Sequence, residues 1–171
     1  MTRRHPAAER GFSLIVSLVL LVLITLVALA SMRAVAMQSR MSASAYDRNL
    51  AFQAAETALR EAEQIAVGAL PGTFPASGCT GIYCATPAAG DTARWADATF
   101  TSWTTTTSAV SANAVAPQAI VEYMGSGANW FGCMQEIPRP PNCTTPRYRV
   151  TARSAANGRA TVILQSDDAS Q

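Results

Sequence analysis

Lysine is missing from this chain and histidine nearly so. All 13 cations are arginine, which removes Schiff-base chemistry and the phosphate-binding lysine of nucleotide loops. The one histidine, His5, lies ahead of the first apolar run. Charged residues make up 14% of the sequence, and the acids fall in no grouping whose spacing identifies a catalytic or metal site. Neither an enzyme nor a cofactor is expected. A nucleic-acid partner is not expected either: the formal charge of +2 depends on Arg3, Arg4 and Arg10, and without them and Glu9 the charges balance. No basic patch remains for a phosphate backbone.

Glycine and proline are missing from one long stretch. Neither occurs between Gly11 and Gly68, so nothing interrupts a helix of about 55 residues, or ~80 Å. Residues 12–30, FSLIVSLVLLVLITLVALA, carry no charge. About 19 residues at ~1.5 Å each nearly cross a ~30 Å hydrocarbon core, which predicts a transmembrane helix. Residues 31–67 turn amphipathic: Met37, Met41, Tyr46, Leu50, Phe52, Ala55, Leu59, Ala62 and Ile65 recur mostly at three- and four-residue steps. That stripe is expected to pack on a sheet. Glu56 and Arg60 form an i,i+4 pair with the acid first, worth ~0.2–0.5 kcal/mol. Gly68 and Pro71-Gly72 then end the run.

The order of parts at the N-terminus is informative. Arg10-Gly11-Phe12 precedes the apolar run, whereas an ordinary secretory signal is cut beyond it and loses it. Cleavage after Gly11 leaves the span on the mature chain, and the three leader arginines hold residues 1–11 in the cytoplasm. Two other readings stand beside this one. Ala28-Leu29-Ala30 before Ser31 has the form of a conventional cleavage site, although the apolar run is too long for one and helical register continues past it. The segment also suits an uncleaved anchor. All three export residues 68–171, enough for one head with its own core.

In an exported head the even set Cys79, Cys84, Cys133 and Cys143 predicts two disulfides. Of three connectivities, the local pairs Cys79–Cys84 and Cys133–Cys143 are favoured, since each closes a small loop rich in Gly, Pro or Thr. Zinc is disfavoured by C-x4-C and C-x9-C spacing without histidine. Residues 72–117, rich in Ala, Thr, Ser, Gly and Pro, read as a variable loop region with Trp95, Phe100 and Trp103 as anchors. Residues 118–166 read as an antiparallel sheet. Ala119 to Met124 is a strand ending at Gly125, with Gly125-Ser126-Gly127 as a turn, and Tyr148–Ser154 and Arg159–Ser166 flank the hairpin signal Asn157-Gly158. A two-residue loop would pair Val150 with Gln165. A three-residue loop Ala156-Asn157-Gly158 pairs Val150 with Leu164 and Ala152 with Val162, which puts apolar residues opposite one another and is the expected register. Asp167-Asp168 lacks the neighbouring oxygen ligands of a calcium loop and reads as a solvated tail. The fold class is α+β, a long helix packed on a small antiparallel sheet.

The junction Arg10-Gly11-Phe12, the apolar helix, Ser31-Met32-Arg33 and above all Asp47-Arg48-Asn49-Leu50-Ala51-Phe52-Gln53-Ala54-Ala55-Glu56, with Ala58-Leu59 and Ala62-Glu63, resemble the N-terminal pattern of PilX-type minor pilins of the type IV pilus system. The resemblance covers residues 8 to 65; beyond them only the general layout matches. It implies a pilin-like fold and a prepilin of the Gram-negative inner membrane, cut after Gly11 by the prepilin peptidase and N-methylated on Phe12. It further implies a tip complex with other minor pilins and a PilY-family tip adhesin, which starts a fibre of major pilin at the cell surface for twitching motility and adhesion. Val16, Ser31, Met32, Arg33, Asp47, Phe52 and Glu56 would then belong to the assembly helix. One departure matters. Many pilins carry glutamate at the fifth residue after the cut, a carboxylate costly in lipid and relieved by the N-terminal amine of an earlier subunit. Here that residue is Val16, as suits a subunit at the top of a fibre. A pseudopilin of type II secretion and an anchored or secreted binding domain are the alternatives.

Mass spectrometry of the mature chain should read N-methyl-Phe12 at its N-terminus, and Gly11→Arg should leave the precursor uncut. A mature chain beginning at Ser31 would sink the prepilin reading.

Overall fold

The computed structural model describes residues 12–107 and 114–169; Gly11 and the rest of the expected leader lie outside the described residues. One α-helix, α1 (Phe12–Val67), takes up the whole stretch free of glycine and proline. A 3-10 turn at Pro71–Thr73 follows it. By its internal contacts the chain divides into Met1–Ala45 and Tyr46–Gln171.

Within the first unit the described residues are all α1, and none of their side chains is buried. The hydroxyls of Ser17, Thr25 and Ser31 donate to the carbonyls of Leu14, Val22 and Val27 at 2.9, 2.8 and 2.9 Å. These three hydroxyls are therefore satisfied inside the helix, as an environment without water requires.

Within the second unit α1 packs on a six-stranded sheet built from β1 (Cys79–Thr80), β2 (Tyr83–Cys84), β3 (Thr104–Thr105), β4 (Gln118–Ala128), β5 (Thr144–Ser154) and β6 (Val162–Ala169). The spatial order is β1-β2-β4-β5-β6, with β3 also on β4. The pairings are antiparallel except β2 on β4, which is parallel over two residue pairs. This is the expected α+β, pilin-like arrangement.

The seam between helix and sheet differs from the expected one. Ala51, Ala54, Ala55, Ala58, Ala62 and Ala66 are buried along with Leu50, whereas Tyr46 and Phe52 point to solvent. Alanine at steps of three and four lets the helix backbone approach the sheet closely, and the volume of the core comes from the strands. Ala58, Ala62 and Ala66 meet Ala119, Val121, Tyr148, Val150 and Ala152 in one cluster. Tyr148 fills the centre. Its hydroxyl donates to the Ala69 carbonyl at 2.7 Å, and its ring stacks on Phe74 with centroids 5.4 Å apart.

Residues of β4 and β5 that alternate with these face the other way: Ile120 and Thr151 are fully buried there, and Glu122 nearly so. The segment before β3 covers them. Arg94 forms an ion pair with Glu122, and Trp103 lies under the Arg153 guanidinium, 4.1 Å from the ring centroid, with Phe100 against its edge. Phe100 and Trp103 thus anchor the loop region as expected, but Trp95 is 46% exposed and does not.

Two local expectations change. The strand begun at Ala119 does not end at Gly125; it runs to Ala128 through a bulge between Tyr123 and Ser126. Gly125 takes φ +86 there, a conformation that other residues rarely adopt. Gly127 then sits under Arg147, whose Nε would lie 2.9 Å from an added Cβ. The hairpin is wider than expected: Val150 pairs with Ser166, and Ala152 with Leu164. The shift is two residues, so the same face looks toward the helix, but residues 155–161 form the connection. Its cause is a tie to α1 described below. Both cysteine pairs are bonded, Cys79 to Cys84 and Cys133 to Cys143, the first directly across the β1–β2 pair.

Candidate functional site

Phe12 is the first described residue and is exposed, as are Val16, Met32 and the large apolar side chains between them. The span therefore presents apolar surface all round, and nothing within its own unit buries it. The Ser31 hydroxyl bonds back to the Val27 carbonyl. Arg33 is exposed. The sequence-derived residues Phe12, Val16, Ser31, Met32 and Arg33 are exposed at separate points along and around one helix rather than gathered at one place.

Asp47, Phe52 and Glu56 lie in the second unit, and there the structure brings distant chain together. Asp47 Oδ1 accepts from Arg159 Nε at 2.5 Å, and its Oδ2 accepts from the Ala160 amide at 2.6 Å. One carboxylate on the helix therefore pins the hairpin connection, which explains why residues 155–161 stay open rather than closing as a three-residue turn. The Ala160 amide first, and the Arg159 guanidinium next, hold the Asp47 carboxyl below its ordinary value. Phe52 is 45% exposed, contrary to its expected place in the packing stripe. It lines a groove with Arg48 and Asn49 from α1 and Thr161, Val162 and Ile163 from the start of β6. Glu56 bonds Arg60 at 2.5 Å on the exposed side of the helix.

At the other end of β6, Ser166 donates to Glu63 at 2.7 Å. The neighbouring Asp168 carboxyl is pushed up, mainly by burial and next by the charge of Glu63. Asp167 points to the opposite side and pairs with Arg149 at 3.3 Å. Adjacent residues of a strand face opposite ways, so these two acids do not converge on a cation. No group of three or more His, Cys, Asp or Glu is placed to hold a metal among the described residues.

Three long-range contacts had no signal in the sequence: Asp47 with Arg159, Glu122 with Arg94, and Tyr148 with Ala69. Their partners are separated by 112, 28 and 79 residues, and local patterning carries no information over such distances.

The PilX N-terminal family model matches residues 10–60, and the model for the C-terminal part of type IV pilus assembly protein PilX matches residues 75–167. The chain belongs to the PilX family. Comparison with curated proteins and with solved structures gives no match. Membership makes the chain a type IV pilus minor pilin, a structural component that associates with other pilus components, in a family not known for catalysis. Its long apolar helix fits an inner-membrane anchor carrying a soluble head. The PilX match also extends through the head, well past the resemblance at the N-terminus. Asp47 falls in the first matched segment and Arg159 and Ala160 in the second, so the carboxylate tie joins the two parts of the PilX pattern.

A carboxyl held below its unfolded value stabilises the fold above that value, and the contribution is lost as pH falls through the folded value. The Asp47 tie should accordingly hold at neutral pH and release below the ordinary carboxylate value of 3.8. In hydrogen exchange followed by mass spectrometry, Asp47→Ala should lower protection of the peptide containing Ala160 several-fold at neutral pH. The difference from the parent chain should vanish in acid. Equal protection at neutral pH would contradict the assignment.

Proposed function

We propose that this chain is a minor pilin that helps start type IV pilus assembly as part of a tip complex. The observation that carries the reading is the exposed, uncharged span from Phe12 with Val16 as its fifth residue. Burying such a surface outside lipid requires other helices around it, which a pilus fibre supplies. A subunit lacking the intramembrane glutamate needs no earlier subunit to neutralise it, and this favours the first position over a repeating one.

In this reading the prepilin peptidase cuts after Gly11 and Phe12 is N-methylated. The assembly helix carries Val16, Ser31, Met32, Arg33, Asp47, Phe52 and Glu56. The head, stabilised by its two disulfides, leaves the inner membrane of a Gram-negative cell for the pilus surface. The partners are other minor pilins, the major pilin and a PilY-family tip adhesin, and the role serves twitching motility and adhesion. A type II secretion pseudopilin, the alternative from sequence, would share the absent glutamate, but the PilX matches over both parts of the chain favour the pilus.

Clean deletion should sharply reduce surface pili while major pilin remains abundant in the inner membrane, and blocking retraction as well should restore some fibres, because slow initiation is then not outrun by disassembly. Loss of protein secretion with intact pili would select the pseudopilin. Normal piliation and normal secretion would overturn both.

A further inference from the structure

Arg33 and Arg40 are exposed on α1 and, among the described residues, take part in no hydrogen bond or ion pair. No acid stands three or four residues from either one, so the helix itself offers no counter-charge. The first acid of the helix is Asp47, and it is engaged by Arg159 and Ala160. The two arginines are seven residues apart and lie within about 20° of each other around the helix. Met37 and Met41, both exposed, fall on the same side, within an arc of roughly 100°. One helical face thus alternates guanidinium groups with flexible apolar side chains.

Depth along the helix fixes what such a face meets. The strongly apolar span read as residues 12–30 ends at Ala30. At ~1.5 Å per residue Arg33 stands ~4.5 Å beyond it, inside the polar layer of roughly 5–7 Å that borders the hydrocarbon core. Arg40 stands ~15 Å beyond, and its long stem can lean back toward the same layer. Guanidinium recognises phosphate through paired N–H donors, and an isolated cation at this level is favoured by an anionic surface.

We propose that the Arg33–Met37–Arg40–Met41 face is a binding site for the phosphate groups of anionic phospholipid in the leaflet facing the head, and that it sets the depth of the unassembled subunit in the membrane. The proposal rests on the reading of residues 12–30 as a membrane span. Headgroup phosphate serves as the counter-ion until assembly removes the helix from the bilayer.

The test uses the full-length chain in neutral detergent, titrated with phosphatidylglycerol or phosphatidylcholine of matched acyl chains and read by native mass spectrometry. Alkaline extraction of membranes first establishes whether the chain is integral, so that failure of the span is separated from failure of the site. The parent chain should retain phosphatidylglycerol several-fold more than phosphatidylcholine, and millimolar inorganic phosphate should not displace it. Arg33→Gln with Arg40→Gln should abolish the preference, while Arg60→Gln, altering an exposed arginine already paired with Glu56, should leave it intact. Equal retention of the two lipids by an integral parent chain, or an unchanged preference in the double variant, overturns the proposal. So would an integral parent chain without lipid preference whose double variant still fails to assemble, which would give the face to an acidic protein partner.

Discussion

The close approach of an alanine seam to the sheet is the constraint on which the head depends. Ala58, Ala62 and Ala66 contribute almost no volume, so the strands must supply it, and Tyr148, Val121 and Val150 do. Because the helix sits near, the Tyr148 hydroxyl reaches past the core to the Ala69 carbonyl just beyond the end of α1, and Phe74 stacks over the same ring. Polar ties run along the line of contact: Asp47 to the hairpin connection, Glu63 to Ser166, and Ala69 to Tyr148. From Asp47 to the end of the helix at Val67 is ~30 Å. Bulk introduced anywhere on the seam would move the sheet away from all of these at once, and each Val- or Phe-sized side chain thereby exposed would forfeit ~1.5–3 kcal/mol.

The same helix solves two burial problems with two compositions. From Ala51 to Ala66 it buries only alanines. From Phe12 to Ala30 it carries large apolar residues on every side and buries none. A surface of that second kind is stable only in lipid or among other helices, and the proposed passage from membrane to fibre would offer both environments in turn. The head is held together independently of that exchange, by its core and by covalent bonds at Cys79–Cys84 and Cys133–Cys143.

Much of the architecture was legible because it is written in short-range patterning. The absence of glycine and proline from residues 12–67 gave the helix, its uncharged first part gave the span, and cysteine spacing gave the local pairs that are found. Period-two alternation gave the correct inward face of β5 and β6. What failed depended on distance. The hairpin register missed by two residues because Asp47, far upstream, holds Ala160. Phe52 was placed in the packing stripe by helical spacing, whereas close packing selected alanine. Gly125 looked like the end of a strand and lies at a bulge within one, a distinction set by the pairing of residues 126–128 with β5 rather than by the glycine itself. Of the candidate site, the lateral helix surface was visible in sequence; the groove beside Phe52 was not, since half of it comes from residues 161–163.

The seam is tested most directly by equilibrium unfolding of the full-length chain in micelles, followed by tryptophan fluorescence, for Ala62→Leu against Gln53→Leu. Ala62 is fully buried and Gln53 exposed on the same helix. Overpacking should make Ala62→Leu less stable by about 1–3 kcal/mol, while Gln53→Leu stays within ~0.5 kcal/mol of the parent. Equal stability of the two variants would contradict a core organised by close approach of the helix.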